Sequence, residues 1–387
     1  MPDRFCGEST PIPRSCQYDS RMPQQLEKVQ IEGYKSIRSM ELALRPINVL
    51  VGANGAGKSN FLEVFDVVGE ALSHNLRRTV ARLGGADRLL HNGARATKEI
   101  HLKLEFGRNG YEARLAPARG GGLYFEQERC WGAGWQYDIP FIVNLGVGHD
   151  ESRLPEEAED PTHQVARWTL STMSSWRRFH FHDTSDQAAV KRLGPIGDNR
   201  VLHRDAGNLA AFLYRLRETD SASYGRIVSA IRLVAPFFRD FTLAPDPLNE
   251  RDIQLEWVPA DGGDYADAHS LSDGTLRFMC LATLLLQPDP PSLVLIDEPE
   301  LGLHPFAIVQ LAELIRSVTQ ERQVVVSTQS VTLLNQFDID EIVVVDRHDG
   351  ASTFTRLDEE DLSIWLDEYA VGELWEKNLI GGRPSRE

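Results

Sequence analysis

The chain has 387 residues, 42% hydrophobic and 25% charged, with a formal net charge of −16. That composition suits a globular protein with one large core and an added subdomain, and no apolar run approaches the roughly 18–20 residues of a membrane span, so no membrane partner is expected. The acid excess argues against nucleic-acid binding over the whole surface but leaves room for a local basic patch, such as the stretch holding Arg77, Arg78, Arg82, Arg88, Arg95 and Lys98.

Residues 1–24 are polar and proline-rich without apolar periodicity, and are expected to be disordered. From Leu26 three strand-like runs follow, LEKVQIEGY, MELAL and INVLV, the last apolar at every position but Asn48, as suits a buried strand. INVLV runs into a glycine-rich turn and then NFLEVFDVVGEAL, whose apolar residues recur at helical spacing; EIHLKLEF near residue 100 reads as another strand. Residues 25–106 therefore form a first lobe.

The stretch 107–265 is broken by Gly, Pro and Trp and is expected to be an inserted arm or lid of mixed strands and helices. Within it PEEAEDP (Pro155 to Pro161) reads as an exposed acidic loop, and NLAAFLYRLRE and YGRIVSAIRLV read as helices. Residues 266–387 form a second lobe. There SLVLI, QVVVST and EIVVVD alternate with helical segments, the βαβ signature of a parallel sheet, and a last helix is expected over Leu362 to Lys377. Cys6, Cys16, Cys130 and Cys280 lack metal-ligand or disulfide spacing, and no secretory signal is visible, so a cytoplasmic protein with free thiols is expected.

Three motifs carry chemistry. GANGAGKS, Gly52 to Ser59, has the spacing of a phosphate-binding loop: glycines let backbone N–H groups wrap phosphates, Lys58 supplies a point charge and the Ser59 hydroxyl is a Mg²⁺ ligand. SLVLIDE is an apolar strand ending in Asp297, a second candidate for Mg²⁺, and Glu298, a candidate for polarising the attacking water. LSDGT, Leu271 to Thr275, precedes an apolar helix; by itself it also reads as an ordinary helix N-cap. HFHD, His180 to Asp183, puts two histidines on one strand face, but without further ligands nearby they read as structural.

In this order the motifs resemble those of the ABC ATPase superfamily, and the resemblance extends to its RecF/SMC/OLD-like branch. IEGYKSIRSMELALRPINVLVGANGAGKSN, with Asn60 after the serine, FHFHDTS in the middle, EPELGLHP and VGELWEKNLIGGRP carry it. It departs from transporters at Asp273, Thr275 and Gln329, the last replacing the usual switch histidine in VVVSTQS. An amide there can hydrogen-bond a γ-phosphate but carries no proton at neutral pH.

The resemblance implies an α/β ATPase head: a mostly parallel P-loop sheet, an antiparallel β subdomain and an inserted arm. It implies ATP and Mg²⁺ as ligands. Asn54, Gly55, Ala56, Gly57, Lys58, Ser59 and Asn60 would hold the nucleotide, with Glu298, Lys58 and Gln329 as catalytic residues. It further implies a homodimer in which Ser272 and Gly274 cap the partner's nucleotide, hydrolysis that releases the dimer, and a role in DNA-related processes or phage defence. DNA or RNA, and a separate nuclease or toxin effector, are the implied partners. A Q-loop glutamine is represented only by Gln127. The alternatives are a transporter ATPase subunit, which predicts a switch histidine and a clear Q-loop, and a nucleotide-dependent scaffold that hydrolyses little.

Overall fold

The computed structural model describes residues 25–133, 140–319, 322–358, 360, 362, 365 and 369–382. The expected disordered tail, and much of the helix expected from Leu362, lie outside these residues.

The chain opens with β1 (Lys28–Tyr34) and β2 (Ile37–Ala43), paired antiparallel from Lys28 opposite Ala43 to Tyr34 opposite Ile37. The fully buried strand β3 (Ile47–Val51) follows, then α1 (Lys58–Leu72), α2 (Leu76–Arg82), α3 (Ala86–Leu89) and α4 (Gly93–Ala96). Next come β4 (Ile100–Phe106), β5 (Asn109–Pro117), β6 (Leu123–Gly132) and β7 (Phe141–Gly146). With β1 and β2 they make one six-stranded antiparallel sheet, ordered β2-β1-β4-β5-β6-β7.

After α5 (Leu154–Glu159) and α6 (Gln164–Met173) the short strand β8 (Arg177–Phe179) enters a second sheet. Two small three-stranded sheets collect β9 (Gly194–Pro195), β10 (Phe238–Phe241), β11 (Pro245–Asp246), β12 (Asn249–Ile253), β13 (Glu256–Pro259) and β14 (Ala266–Asp267). Between β9 and β10 lie α7 (Leu209–Thr219) and α8 (Ser221–Val234), where both helices are expected.

The remaining elements are α9 (Asp273–Leu286), β15 (Leu293–Asp297), α10 (Pro305–Val318), β16 (Gln323–Thr328), α11 (Val331–Leu334), β17 (Ile342–His348), β18 (Ala351–Arg356) and α12 (Val371–Glu376). The second large sheet runs β18-β17-β3-β16-β15-β8, parallel throughout except for β18.

Every residue of β3, β15 and β16 is buried because both faces of this sheet are covered. Val49, Val294 and Val326 pack into one core with α7 to α10. The intervening Leu50, Leu295 and Val325 point the other way, into the core that α1 shares with the antiparallel sheet. Helix α1 is thereby clamped between the two large sheets, which fixes the loop at its N-terminus.

Two expectations change. PEEAEDP is not a loop: Pro155 sits in the first turn of α5, where its missing N–H is harmless, and Leu154 is buried. The stretch 107–265 does not stand apart either. Its strands β5 to β7 extend the sheet of β1, β2 and β4, and β8 pairs with β15, because each buries an apolar face that a free arm would expose. Cys130 and Cys280 are both buried and free, and burial pushes each thiol up to about 12.

Candidate functional site

The loop between β3 and α1 needs its glycines for measurable reasons. Gly55 and Gly57 hold φ of +79° and +121°. A Cβ on Gly52 would stand 2.1 Å from the Val345 carbonyl oxygen, and one on Gly57 would stand 2.1 Å from Ser352 Oγ. The loop is braced from behind by β18: Ser352 Oγ donates to the Ala56 carbonyl at 2.5 Å and lies 2.7 Å from Ser36 Oγ. Asn60 joins this brace, its amide donating to Ser36 Oγ at 2.7 Å, so its side chain faces the back of the loop and not its concave face.

On the concave face, α1 begins at Lys58 with no acidic residue in its first turn, leaving its positive end free for an anion. Lys58 is 5% exposed and donates to the Gly52 and Ala53 carbonyls at 2.6 and 3.1 Å. Burial lowers its ammonium below the ordinary value, against the pull of Glu298, Asp297 and Glu300.

Asp297 closes β15 beside the loop. Burial alone would raise its carboxyl; hydrogen bonds from Ser327, Arg178 and Ser59 outweigh that and hold it below the usual carboxylate range. Ser59 and Asp297, taken as Mg²⁺ ligands from sequence, are thus brought together. Glu298 follows with φ +43°, its N–H bonded to the Ser327 carbonyl at 2.9 Å. Its carboxylate accepts from Gln329 Nε2 at 2.6 Å, and the same amide donates to Asn54 Oδ1 at 2.6 Å. Gln329 therefore links the end of β16 to both the phosphate loop and the acid pair.

Ser272 caps α9: its Oγ accepts from Thr275 N–H at 3.2 Å and lies 2.8 Å from Thr275 Oγ1. It is exposed, and among the described residues no hydrogen bond ties it to its own phosphate loop. Gly274 packs so closely on the segment after β15 that a Cβ would stand 2.3 Å from the Gly302 carbonyl oxygen.

Sequence reasoning missed several residues. Arg178, on β8 beside β15, donates to Asp66 of α1 at 3.0 Å and to Asp297 at 2.9 Å, and Arg204 holds the other Asp66 oxygen at 2.8 Å. Buried Arg277 of α9 donates to the carbonyls of Phe181 (2.8 Å), His182 (3.2 Å) and Leu301, tying the LSDGT helix to two other segments. Its signal was an arginine inside an otherwise apolar helix. Glu300 accepts from Thr328 Oγ1 and Gln329 N–H at 2.5 and 3.2 Å, while burial raises its carboxyl.

His182 Nε2 lies 2.8 Å from the Asp297 carbonyl oxygen, so HFHD follows the strand next to the acid pair. Gln127 lies elsewhere, within β6 and opposite Arg114 in the antiparallel sheet. No group of three or more His, Cys, Asp or Glu suited to a metal occurs among the described residues.

A parallel P-loop sheet joined to an antiparallel sheet, with these motifs at the parallel strand ends, defines a P-loop ATPase of the ABC type in the RecF/SMC-like branch. Residues 47–335 match the family model "AAA domain, putative AbiEii toxin, Type IV TA system", roughly three quarters of the chain. The chain belongs to that family.

Over 84 residues the chain is 30% identical to the DNA replication and repair protein RecF of Renibacterium salmoninarum; the match covers 21% of each chain, so about a fifth of that relative. The fold is similar to that of the SmcHead bound to the C-winged helix domain of ScpA, with TM-score 0.59 at 17% identity over 88% of this chain and 99% of the other. It is also similar to the Smc head domain with an extended coiled coil, bound to the C-terminal domain of ScpA, derived from Pyrococcus furiosus. That TM-score is 0.56 at 16% identity, over 89% of this chain and 98% of the other. Among the described residues no helix is long and apolar enough to cross a membrane.

Proposed function

We infer that this chain is an ATPase that converts ATP and water to ADP and phosphate and works as an ATP-dependent homodimeric switch in the cytoplasm. The observation that carries the reading is the Gln329 amide, which spans the phosphate loop at Asn54 and the carboxylate of Glu298. One side chain thereby senses both the γ-phosphate position and the residue that would orient water.

The fit to ATP and Mg²⁺ rests on this chain's own chemistry: positive-φ glycines, a helix N-terminus free of acids, a buried lysine, and a hydroxyl–carboxylate pair at Ser59 and Asp297. Mg²⁺ bound there would supply positive charge to the phosphate oxygens. Backbone N–H groups from Asn54 to Ser59 would wrap the phosphates, with Lys58 turning from the loop carbonyls to them. Glu298 would hold water in line, and Gln329 would keep Glu298 in place.

The homodimer draws support from the exposure of Ser272, and from Leu301, apolar yet 49% exposed on the segment that packs against Gly274. In the dimer Ser272 and the α9 N-terminus would meet the partner's nucleotide. RecF-like kinship and the toxin wording of the family favour work on DNA, or in defence beside a separate effector.

The test is light scattering of Glu298→Gln with and without ATP·Mg²⁺. Doubling of mass only with nucleotide supports the switch; a mass that never changes counts against it. A wild-type protein that binds ATP without turnover would leave the scaffold alternative standing.

A further inference from the structure

A cleft of about 970 Å³ lies along the edge strand β8, and its lining shares no residue with the phosphate loop. Ser292 and Arg322 in its wall immediately precede β15 and β16, whereas Asp297 and Gln329 end or follow those strands. The strands run parallel, so the cleft opens at their starts, about 15 Å of strand away from the nucleotide end.

The charge in this cleft runs against that of the molecule. Arg167, Arg177, Arg200, Arg215 and Arg322 line it, against one carboxylate, Asp289. Yet the whole chain carries 57 acidic residues and 41 lysines and arginines. Asp289 engages Arg322 alone, at 3.3 Å, and Arg322 Nε is buried with no hydrogen-bond partner. Arg177 spends its guanidinium on the Ser174 and Trp176 carbonyls at 2.5 and 2.8 Å and meets no carboxylate. Arg215 makes one long bond, 3.5 Å, to the Asn199 carbonyl. Arg167 and Arg200 are exposed and form no ion pair among the described residues. Like charges gathered without counter-ions repel, and a bound polyanion relieves that repulsion.

The walls between the arginines mix hydroxyls and amides such as Ser171, Thr219 and Asn199 with apolar Val201, Leu202 and Leu216, and half-buried Trp168, its ring 5.4 Å from that of Phe106, offers an aromatic surface. Guanidinium forks suit phosphate oxygens, and aromatic rings suit unstacked bases. The volume is at the upper end of the roughly 300–1,000 Å³ of ligand pockets, enough for a few nucleotides of one strand and too little for a duplex.

We propose that this cleft binds single-stranded nucleic acid, its arginines holding consecutive phosphates and Trp168 stacking a base. The site is independent of the nucleotide reading above, and binding through it needs no ATP.

The test uses the full chain without nucleotide and a fluorescent oligothymidine of about 20 nucleotides, followed by anisotropy from about 50 to 200 mM salt. The wild type binds, and Arg200→Glu/Arg215→Glu binds at least tenfold more weakly with unchanged basal ATPase. Losing two phosphate contacts also flattens the slope of log K against log salt by about 1.4. The control Arg77→Glu/Arg78→Glu, on α2, binds as the wild type. No binding by the wild type, equal binding by the cleft variant, or an equal loss in the α2 variant overturns the proposal.

Discussion

Gln329 and Glu298 are joined by a 2.6 Å hydrogen bond from amide to carboxylate, across the gap between two neighbouring parallel strands. Glu298 has few other restraints on its side chain, so this bond sets where its carboxylate points. Gln329→Ala should therefore lower ATP turnover by about 100-fold while nucleotide binding changes little, the range expected when a positioned base is released. Steady-state phosphate release together with calorimetric titration of ATP separates the two effects. Equal loss of both would place Gln329 in binding alone.

Lys58→Ala should weaken ATP binding roughly 10- to 100-fold, the worth of one or two charge-assisted hydrogen bonds. Its amine now holds the loop carbonyls of Gly52 and Ala53, so the loop loses an internal tie as well. Titration with a fluorescent ATP analogue reads the change; unaltered affinity would remove Lys58 from the site.

The two signature residues call for different substitutions. Gly274→Ala forces a Cβ to within 2.3 Å of the Gly302 carbonyl, so it should destabilise even the nucleotide-free monomer by about 1–3 kcal/mol. Ser272→Asp keeps the helix cap but brings a negative charge to where the proposed dimer would place a partner's phosphates. It should leave the melting temperature unchanged and weaken ATP-dependent dimerisation about 30-fold, or ~2 kcal/mol. Thermal melts and analytical ultracentrifugation read the pair, and an unaltered Ser272→Asp dimer would argue that LSDGT caps only its own helix.

Arg178→Met removes the guanidinium that sits between Asp66 and Asp297 and leaves two partly buried carboxylates facing each other. A loss of about 2–4 kcal/mol is expected at neutral pH. The folded-state pKa of Asp297 is lowered, so the stability it confers is present above the unfolded value near 3.8 and is lost as pH falls below it. The gap in melting temperature between wild type and variant should be widest near pH 7 and narrow below about pH 4. A gap independent of pH would mean that Arg178 acts by packing.

Much of this was legible in the sequence. Runs such as INVLV and QVVVST, with consecutive apolar residues in place of a polar–apolar alternation, marked the parallel strands, because strands covered on both faces bury successive side chains. The phosphate loop and the Asp-Glu strand end are local patterns whose spacing is their geometry. The expectation of an inserted arm or lid over 107–265 did not foresee that β5 to β7 join the sheet of β1, β2 and β4, because pairing partners are invisible in a one-dimensional pattern. PEEAEDP misled because prolines mark both loops and helix starts. Arg178 and Arg277 act through contacts 112, 119, 96 and 95 residues away along the chain. Asn60, assigned to the nucleotide with its neighbours, turns to Ser36 instead, since successive positions of a helix face different ways.

Glu298 sits at φ +43°, a conformation that costs a residue with a Cβ on the order of 1 kcal/mol or more and glycine almost nothing. Selection for heat resistance and selection for turnover therefore pull this codon in opposite directions. A library sorted only by survival at high temperature should drift toward Glu298→Gly, yielding tougher molecules without the carboxylate proposed to orient water. Persistence of glutamate there under such sorting would mean that the bond to Gln329 holds the fold as well as the chemistry.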